Sequence, residues 1–388
     1  MCARDRCPPF GREANETLWL SKPLKGPAAT DPWLYQCWRK KHHSTTMNMT
    51  LNQPLDNATL EGLVSPLTTT ALPILYLLVF VVSVPCNLLS VILLGFYTKR
   101  KTSTVIFAIN LSIADLLYSA FLPFQVSYHF SGNDWHFGPG LCGISTVAFY
   151  CNMQCSILLT CAIALERYFG VVHAVRSRHW HSPTKALLVC LLIWTLVLIV
   201  QTPMMCRDLT IHVDQLSITT CFDVIPRNLF GGRNLTYFYF AALLLLFYAT
   251  PLAIFLWCYC AVSRGLRQSL EDAGDRLSRK HTLLMVRVAM LCFVMCYLPN
   301  VILQALHMVY RMRGKSLYTY YKFSLGINSL NCCFDPFVYY LASRDFRQTV
   351  WKVLRPSQCC ATGETEEPYS SNQSERACMA HVMHHNSD

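Results

Sequence analysis

Seven long apolar stretches run through the chain, at about 70–97, 104–130, 139–172, 184–206, 236–263, 283–311 and 317–342. Each can cross ~30 Å of hydrocarbon as a helix. A backbone inside a bilayer must satisfy its own hydrogen bonds, which leaves few alternatives to a helix for stretches of this length. The second, third and seventh carry polar residues within the apolar run. Composition agrees: 53% of residues are hydrophobic and only 14% charged, against roughly 25% charged in an ordinary globular protein. So few charges could not cover the surface of a soluble fold of 388 residues. Ordinary glycine and proline content excludes collagen, and the apolar content excludes disorder. The expected fold is an all-α membrane protein, a seven-transmembrane helix bundle.

The expected organisation is an N-terminal tail over 1–69, the bundle over 70–342, a short amphipathic eighth helix over 343–355 and a tail over 356–388. In that eighth helix Phe346, Val350, Val353 and Leu354 fall near one face, with Arg344, Arg347 and Lys352 elsewhere. This is the pattern of a helix lying on a membrane surface. No continuous apolar run marks a signal peptide within residues 1–46, so the first span is expected to direct its own insertion.

The net charge of +11 sets orientation here, and nucleic acid is not an expected partner. One set of loops carries Lys99, Arg100, Lys101, Arg176, Arg178, Lys185, Arg264, Arg267, Arg276, Arg279, Lys280, Arg344, Arg347, Lys352 and Arg355. The opposite loops carry fewer, Arg207, Arg227, Arg233, Arg311, Arg313 and Lys315. The richer set faces the cytoplasm, which puts the N-terminus outside a plasma-membrane, multi-pass chain. Four glycosylation sequons, beginning at Asn15, Asn48, Asn57 and Asn234, fall on the outer side. Two more, at Asn110 and Asn372, fall in a span and in the inner tail and are expected to stay unmodified.

Charged groups inside a bilayer are costly and mark function by default, the bland alternative being a structural hydrogen bond between helices. Asp115, Glu166 and Asp335 stand out. Arg167 follows Cys142 by about 25 residues, some 37 Å of helix at ~1.5 Å per residue. Cys142 therefore marks the outer end of the third span and Arg167 its inner end. At the oxidising outer face Cys142 has a natural partner in Cys221. Most of the other cysteines, among 20 in all, sit in apolar stretches as small buried hydrophobes. No nucleophile–base pair and no HExxH motif is present, so no enzyme is expected. No internal symmetry or paired interrupted helices point to the rival class, a transporter or channel.

Taken in order, Asn87, Leu111-Ser-Ile-Ala-Asp115, Cys142/Cys221, Glu166-Arg167-Tyr168, Trp194, Pro251 with Tyr259, Phe293 with Cys296-Tyr297-Leu298-Pro299, and Asp335-Pro336-Phe337-Val338-Tyr339 resemble the rhodopsin-class (class A) G-protein-coupled receptors. The resemblance covers about 70–355. Thr219-Thr-Cys-Phe-Asp-Val, Asp335 and Tyr297 are similar to the branch holding the metabotropic (Y-type) purinoceptors and protease-activated receptors. Gly314-Lys-Ser, Asp335–Tyr340 and Ala342-Ser-Arg-Asp-Phe346 look most like the subtype-eight purinoceptors. The resemblance implies a cell-surface receptor that activates heterotrimeric G proteins, of the Gq or the twelve/thirteen class. Arrestin and receptor kinases are its further implied partners.

Roles follow from the same resemblance. Arg167 is held by Glu166 at rest and freed, when the sixth span swings out, to meet Tyr259 and the G protein. Pro299 and Pro336 provide hinges, and Tyr297 and Phe293 relay from pocket to hinge. Asp115, Ser156, Asn331 and Asp335 resemble an internal sodium site. Two carboxylates close together in low dielectric need a cation or a shared proton, and the residues leave both open; a shared proton would make activation sensitive to pH. No other cofactor is expected.

The pocket is expected among Tyr128, Phe149, Tyr150, Asn152, Met153, Asn300, Gln304, His307, Tyr318, Tyr321 and Lys322, with Arg207, Arg311, Arg313 and Lys315 at the rim. Cations at the mouth would steer anions toward it. Where nucleotide receptors of the branch present a His and two Arg, this chain has Val301, Gln304 and Leu325. The expected ligand is therefore an amphipathic, lipid-like small molecule with an anionic end, not a nucleotide. The branch's second disulfide, from tail to last outer loop, is not expected, since no cysteine lies between Arg311 and Tyr321. The segment from Met47 reads as a complete tail, with residues 1–46 an upstream extension. The alternative of a tethered ligand freed by proteolysis has Arg39-Lys40-Lys41 as its candidate site. In the inner tail, Cys359 and Cys360 are candidates for palmitoylation. Thr362, Thr365, Ser370, Ser371 and Ser374 are candidates for phosphorylation in an acidic setting.

Overall fold

A computed structural model describes residues 55–98, 101–172, 182–224, 226, 229–268, 276–342 and 350. Asn15, Asn48, Arg39-Lys40-Lys41, Cys359, Cys360 and all of the eighth-helix segment but Val350 lie outside these. A short helix, α1 (Asn57–Val64), precedes the bundle. The spans are α2 (Leu67–Tyr97), α3 (Ser103–Phe130), α4 (Gly138–Val172), α5 (Pro183–Met205), α6 (Arg233–Gly265) and α7 (Arg276–Met312). The seventh is a broken pair, α8 (Tyr318–Ser329) and α9 (Asn331–Ala342). Among the described residues six helices are long and apolar enough to cross a membrane unaided. The seventh falls short because of its polar residues and its break.

The bundle is apolar outside and holds polar groups within. Leu78, Val81, Leu192, Ile199, Phe238 and Leu246 are each about three-fifths exposed or more, a surface suited to lipid tails. Asn87, Ser112, Asp115, Gln154 and Ser156 are fully buried. Helix α4 is central, packing on α3, α5 and α6. Buried amides and hydroxyls join the helices, as when Gln201 Nε2 donates to Gln154 Oε1 at 3.0 Å and Trp194 Nε1 to Asn110 Oδ1 at 3.3 Å.

The seventh span is weakened on both sides of its break at Leu330. Pro336 has no N–H to give the carbonyl of Cys332, one turn earlier. Asn87 Nδ2 supplies the missing donor, at 2.8 Å from that carbonyl. The Ser329 hydroxyl donates back to the Leu325 carbonyl at 3.0 Å, a contact that bends helices. Asn87 thereby fastens α2 to the weakest point of the seventh span.

The end of the bundle that carries Cys142 is roofed. Strands β1 (Thr210–Val213) and β2 (Ile218–Cys221) pair antiparallel, with Thr210 opposite Cys221. The Cys142–Cys221 disulfide ties β2 to the first turns of α4. Cys206, at the end of α5, is also disulfide-bonded. Helix α1 docks on this roof through Leu63, which clusters with Ile211, Val213, Val224 and Tyr318. Asn133 Nδ2 donates to the Leu63 carbonyl. A Cβ on Gly62 would lie 2.5 Å from Thr319 Oγ1 and 2.6 Å from Tyr318 Cδ1. Glycine alone permits that approach of backbone to ring.

Candidate functional site

Beneath the roof lies a cleft that opens to solvent. Helix α4 contributes Tyr150, and the segment after β2 contributes Phe222 and Asp223. Helix α6 gives Thr236, Tyr237, Phe240 and Leu244, α7 gives Gln304, His307, Met308 and Arg311, and α8 gives Tyr318, Tyr321, Lys322 and Leu325. The cations come from α7 and α8, while α6 presents mainly ring and aliphatic surface. Lys322 Nζ pairs with Asp223 Oδ1, and both side chains are almost wholly buried. Tyr128 donates its hydroxyl to Asp223 Oδ2. His307 Nδ1 accepts from the Leu317 N–H at 3.2 Å, and its ring stacks on Tyr321 at 4.9 Å and 6°. An accepting Nδ1 leaves the imidazole neutral. Tyr321 and Tyr150 share a hydrogen bond of 3.1 Å between hydroxyls. Two buried wall atoms, Gln304 Oε1 and Tyr237 Oη, have no hydrogen-bond partner among the described residues.

Of the eleven residues expected to line the pocket, the structure brings Tyr150, Gln304, His307, Tyr318, Tyr321 and Lys322 to the cleft. Tyr128 sits behind it, holding Asp223. Phe149 is turned aside, edge-on to Tyr118 and Tyr150. Asn152, Met153 and Asn300 lie deeper. Asn300 donates to Met153 Sδ at 3.4 Å and accepts from the Ser324 hydroxyl at 3.1 Å, while Asn152 donates to Asp115 Oδ1 at 2.8 Å. Of the expected rim, Arg311 lines the cleft; Arg207, Arg313 and Lys315 do not. The lining residues absent from the expected pocket are Phe222, Asp223 and Pro226 after β2, Thr236, Tyr237, Phe240 and Leu244 on α6, Met308 on α7 and Leu325 on α8. Asp223 stood in a recognisable segment, but nothing in its pattern says that the carboxylate turns inward.

Below that layer, Tyr297 packs on Phe293 at 4.8 Å between ring centres, and Phe293 stacks on Phe255 at 4.4 Å and 22°. This column spans α7 and α6. Beside it lies a polar chamber. Asn331 Nδ2 donates to Asp335 Oδ2 at 2.7 Å, and Asp115 is near enough for the two carboxylates to act on each other. Asp115 Oδ2, Ser112 Oγ, Ser156 Oγ, Asn328 Oδ1 and Tyr297 Oη are buried and unpartnered among the described residues. Orphaned oxygens from carboxylate, hydroxyl and amide are the donor set a small hard cation takes.

At the opposite end of the bundle, Thr104 on α3 joins the two charges of the Glu166-Arg167-Tyr168 motif. Its hydroxyl donates to Glu166 Oε2 at 2.7 Å and accepts from Arg167 Nη2 at 3.3 Å. The Tyr168 ring packs on Trp257 of α6 at 4.7 Å. Tyr259 is half-buried on the same helix. Pro299 lies inside α7 and Pro336 inside α9. The backbone of Tyr339 falls in α9, and its side chain lies outside the described ones. Of the four asparagines expected to be glycosylated, Asn57, at the start of α1, and Asn234, in the first turn of α6, fall within the described residues, and both are exposed.

A seven-span bundle with a roofed cleft at one end, an aromatic column, a buried polar chamber and a tethered arginine at the other end is built to carry a signal across a membrane. The chain belongs to the rhodopsin family of seven-transmembrane receptors, whose family model matches residues 86–339. It is similar to the human S-geranylgeranyl-glutathione receptor P2RY8, 39% identical over 300 residues, covering 77% of this chain and 83% of that one. It is also similar to Proteinase-activated receptor 1 of Xenopus laevis, 36% identical over 304 residues, 78% of this chain and 70% of that receptor. A subtype-eight purinoceptor of Gallus gallus is 36% identical over 303 residues, 78% of this chain and 85% of that receptor. The chain is thus a G-protein-coupled cell-surface receptor, a multi-pass protein of the plasma membrane and not an enzyme.

Proposed function

We propose that this receptor answers an extracellular amphipathic anion, a carboxylate-bearing polar head joined to an apolar tail. The observation that carries this is the two-sided cleft beneath the roof. Lys322 and Arg311 lie on α8 and α7, while Tyr237, Phe240 and Leu244 line it from α6. The unpaired Gln304 Oε1 and Tyr237 hydroxyl suit a head rich in amide groups, since an unmet buried polar atom costs about 1–3 kcal/mol. The name of the human relative, an S-geranylgeranyl-glutathione receptor, describes a ligand with this division: an isoprenoid chain on a peptide acid. A di- or triphosphate fits less well. Val301, Gln304 and Leu325 offer no positive charge, which leaves Lys322 and Arg311 as the cations of the wall for a head of several charges.

The same reading puts the N-terminus outside the cell and turns the Glu166-Arg167-Tyr168 end toward the G protein. A ligand wedged among α4, α7 and α8 would press on Asn300 and Ser324, then on Tyr297 and Phe293. Motion of α7 about Pro299 would loosen the inner ends and release Arg167 from Thr104. Asp115, Ser156, Asn331 and Asp335, with Ser112 beside them, would hold a sodium ion at rest; the ion would supply positive charge between two carboxylates. Phosphorylation of the inner tail would recruit arrestin, and palmitoylated Cys359 and Cys360 would hold the tail to the membrane.

The test is G-protein activation in cells expressing the full chain, exposed to S-geranylgeranyl-glutathione, lysophospholipids, and adenine and uridine nucleotides. Activation by an anionic amphiphile, with potency falling about tenfold or more in Lys322→Gln at equal surface expression, is the expected result. Potent activation by a nucleotide overturns it.

A further inference from the structure

Among the described residues, the one acidic side chain in the wall of the cleft is Asp223. Its place is fixed from several sides. The disulfide holds Cys221, two residues earlier, to α4. Phe222 takes a left-handed φ of 61°, a conformation non-glycine residues seldom adopt, and its N–H is bound to the Leu209 carbonyl at 2.9 Å. That turn delivers the Asp223 carboxylate to the Tyr128 hydroxyl and to Lys322. The carboxylate belongs to a loop, whereas the cation belongs to a span. An ion pair so divided can open without either helix unfolding.

We propose that Asp223 is a built-in surrogate for the ligand's carboxylate: it occupies Lys322 in the empty receptor, and the agonist's anionic group takes its place by exchange. This rests on the anionic-ligand reading above and assigns a regulator to that site. A buried lysine cannot be left unpaired at small energetic expense, so Lys322 passes from one carboxylate to the other. When the exchange occurs, the segment from Phe222 to Val224 is released from α8 and the roof shifts, while the disulfide keeps β2 in place.

The exchange is tested without any agonist by chemical rescue. Full-length receptor is reconstituted in lipid nanodiscs, and Tm is measured in sodium acetate against equal sodium chloride. Asp223→Ala leaves room for a small carboxylate beside Lys322, so acetate at about 0.1 M is expected to raise its Tm by several degrees. The wild type and Asp223→Ala/Lys322→Gln are expected to show no difference between the salts. Equal behaviour of the folded single variant in both salts overturns the proposal. If Asp223→Ala does not reach the surface, Asp223→Asn, which keeps the side chain's shape, carries the test. It is expected to bind the isoprenyl-glutathione probe at least tenfold tighter than wild type, with no gain for the neutral ester of the probe. Unchanged or weaker binding of the acid overturns the proposal. Acetate rescue together with no response of any variant to anionic amphiphiles supports the carboxylate site and overturns the ligand class, so the two readings fail separately.

Discussion

Replacing Thr104 by valine removes one hydroxyl and almost no volume, and it should raise the receptor's basal activity. In the structure that hydroxyl serves both charges of the inner motif, at 2.7 Å to Glu166 and 3.3 Å to Arg167. Hydrogen bonds to charged groups contribute about 1.5–3 kcal/mol each when well sheltered. All three residues are half-buried, and the longer bond is weak, so about 1–2 kcal/mol for the pair is a fair working value. If Glu166 and Arg167 both leave Thr104 on activation, that free energy is lost from the resting state alone. The ratio of active to resting receptor then rises about 5- to 30-fold, since 1.4 kcal/mol is a factor of ten. A basal occupancy of about 1% would become about 5–25% by the same arithmetic. The assay is agonist-free G-protein dissociation by energy transfer, normalised to surface receptor, with Thr104→Ser as the variant that keeps the hydroxyl. Basal signalling that is equal in Thr104→Val, Thr104→Ser and wild type would refute the reasoning.

Three further perturbations test other parts of the structure. Replacing sodium by choline should increase agonist affinity several-fold in wild type and leave Asp115→Asn unmoved; a wild type indifferent to the cation removes the proposed ion from the chamber. Asn87→Ala strips the Cys332 carbonyl of its donor and should destabilise by about 2–3 kcal/mol, seen as a lower Tm in nanodiscs. Gly62→Ala forces a methyl against Thr319 and Tyr318 at about 1–3 kcal/mol of overpacking. It should speed hydrogen exchange across 57–64 while leaving the inner ends of the spans unchanged.

The spans were readable because lipid imposes long apolar runs, and their boundaries follow from where those runs stop. The disulfide was readable for a similar reason: one cysteine falls at the end of a span and the other in a loop on that side. What faces the cleft was not. Tyr150 and Met153 are three residues apart on α4, yet one meets the cleft and the other sits against Asn300 below it. Asn152, between them, turns to Asp115. Periodicity fixes the rotation of a helix only approximately, and a half-turn decides between pocket, floor and chamber. Asp223 escaped because its direction depends on the left-handed turn at Phe222. Thr104 escaped because a lone threonine at the foot of a span has no pattern, and its partners come from another helix. Motif resemblance located Glu166 and Arg167, but not the hydroxyl that joins them.

Helix α1 rests on Tyr318 where Gly62 lets its backbone approach, and Tyr318 lines the cleft. The amino-terminal segment is therefore a mechanical output of the pocket as well as a cover for it. Glu61, exposed on the outer face of α1, offers a position for an environment-sensitive dye. A dye there would register the tilt of the roof as the cleft fills, at the end of the bundle far from Arg167 and with no G protein bound. The same geometry sets a rule for fusions: a bulky tag joined close to residue 55 pulls on a ring of the cleft.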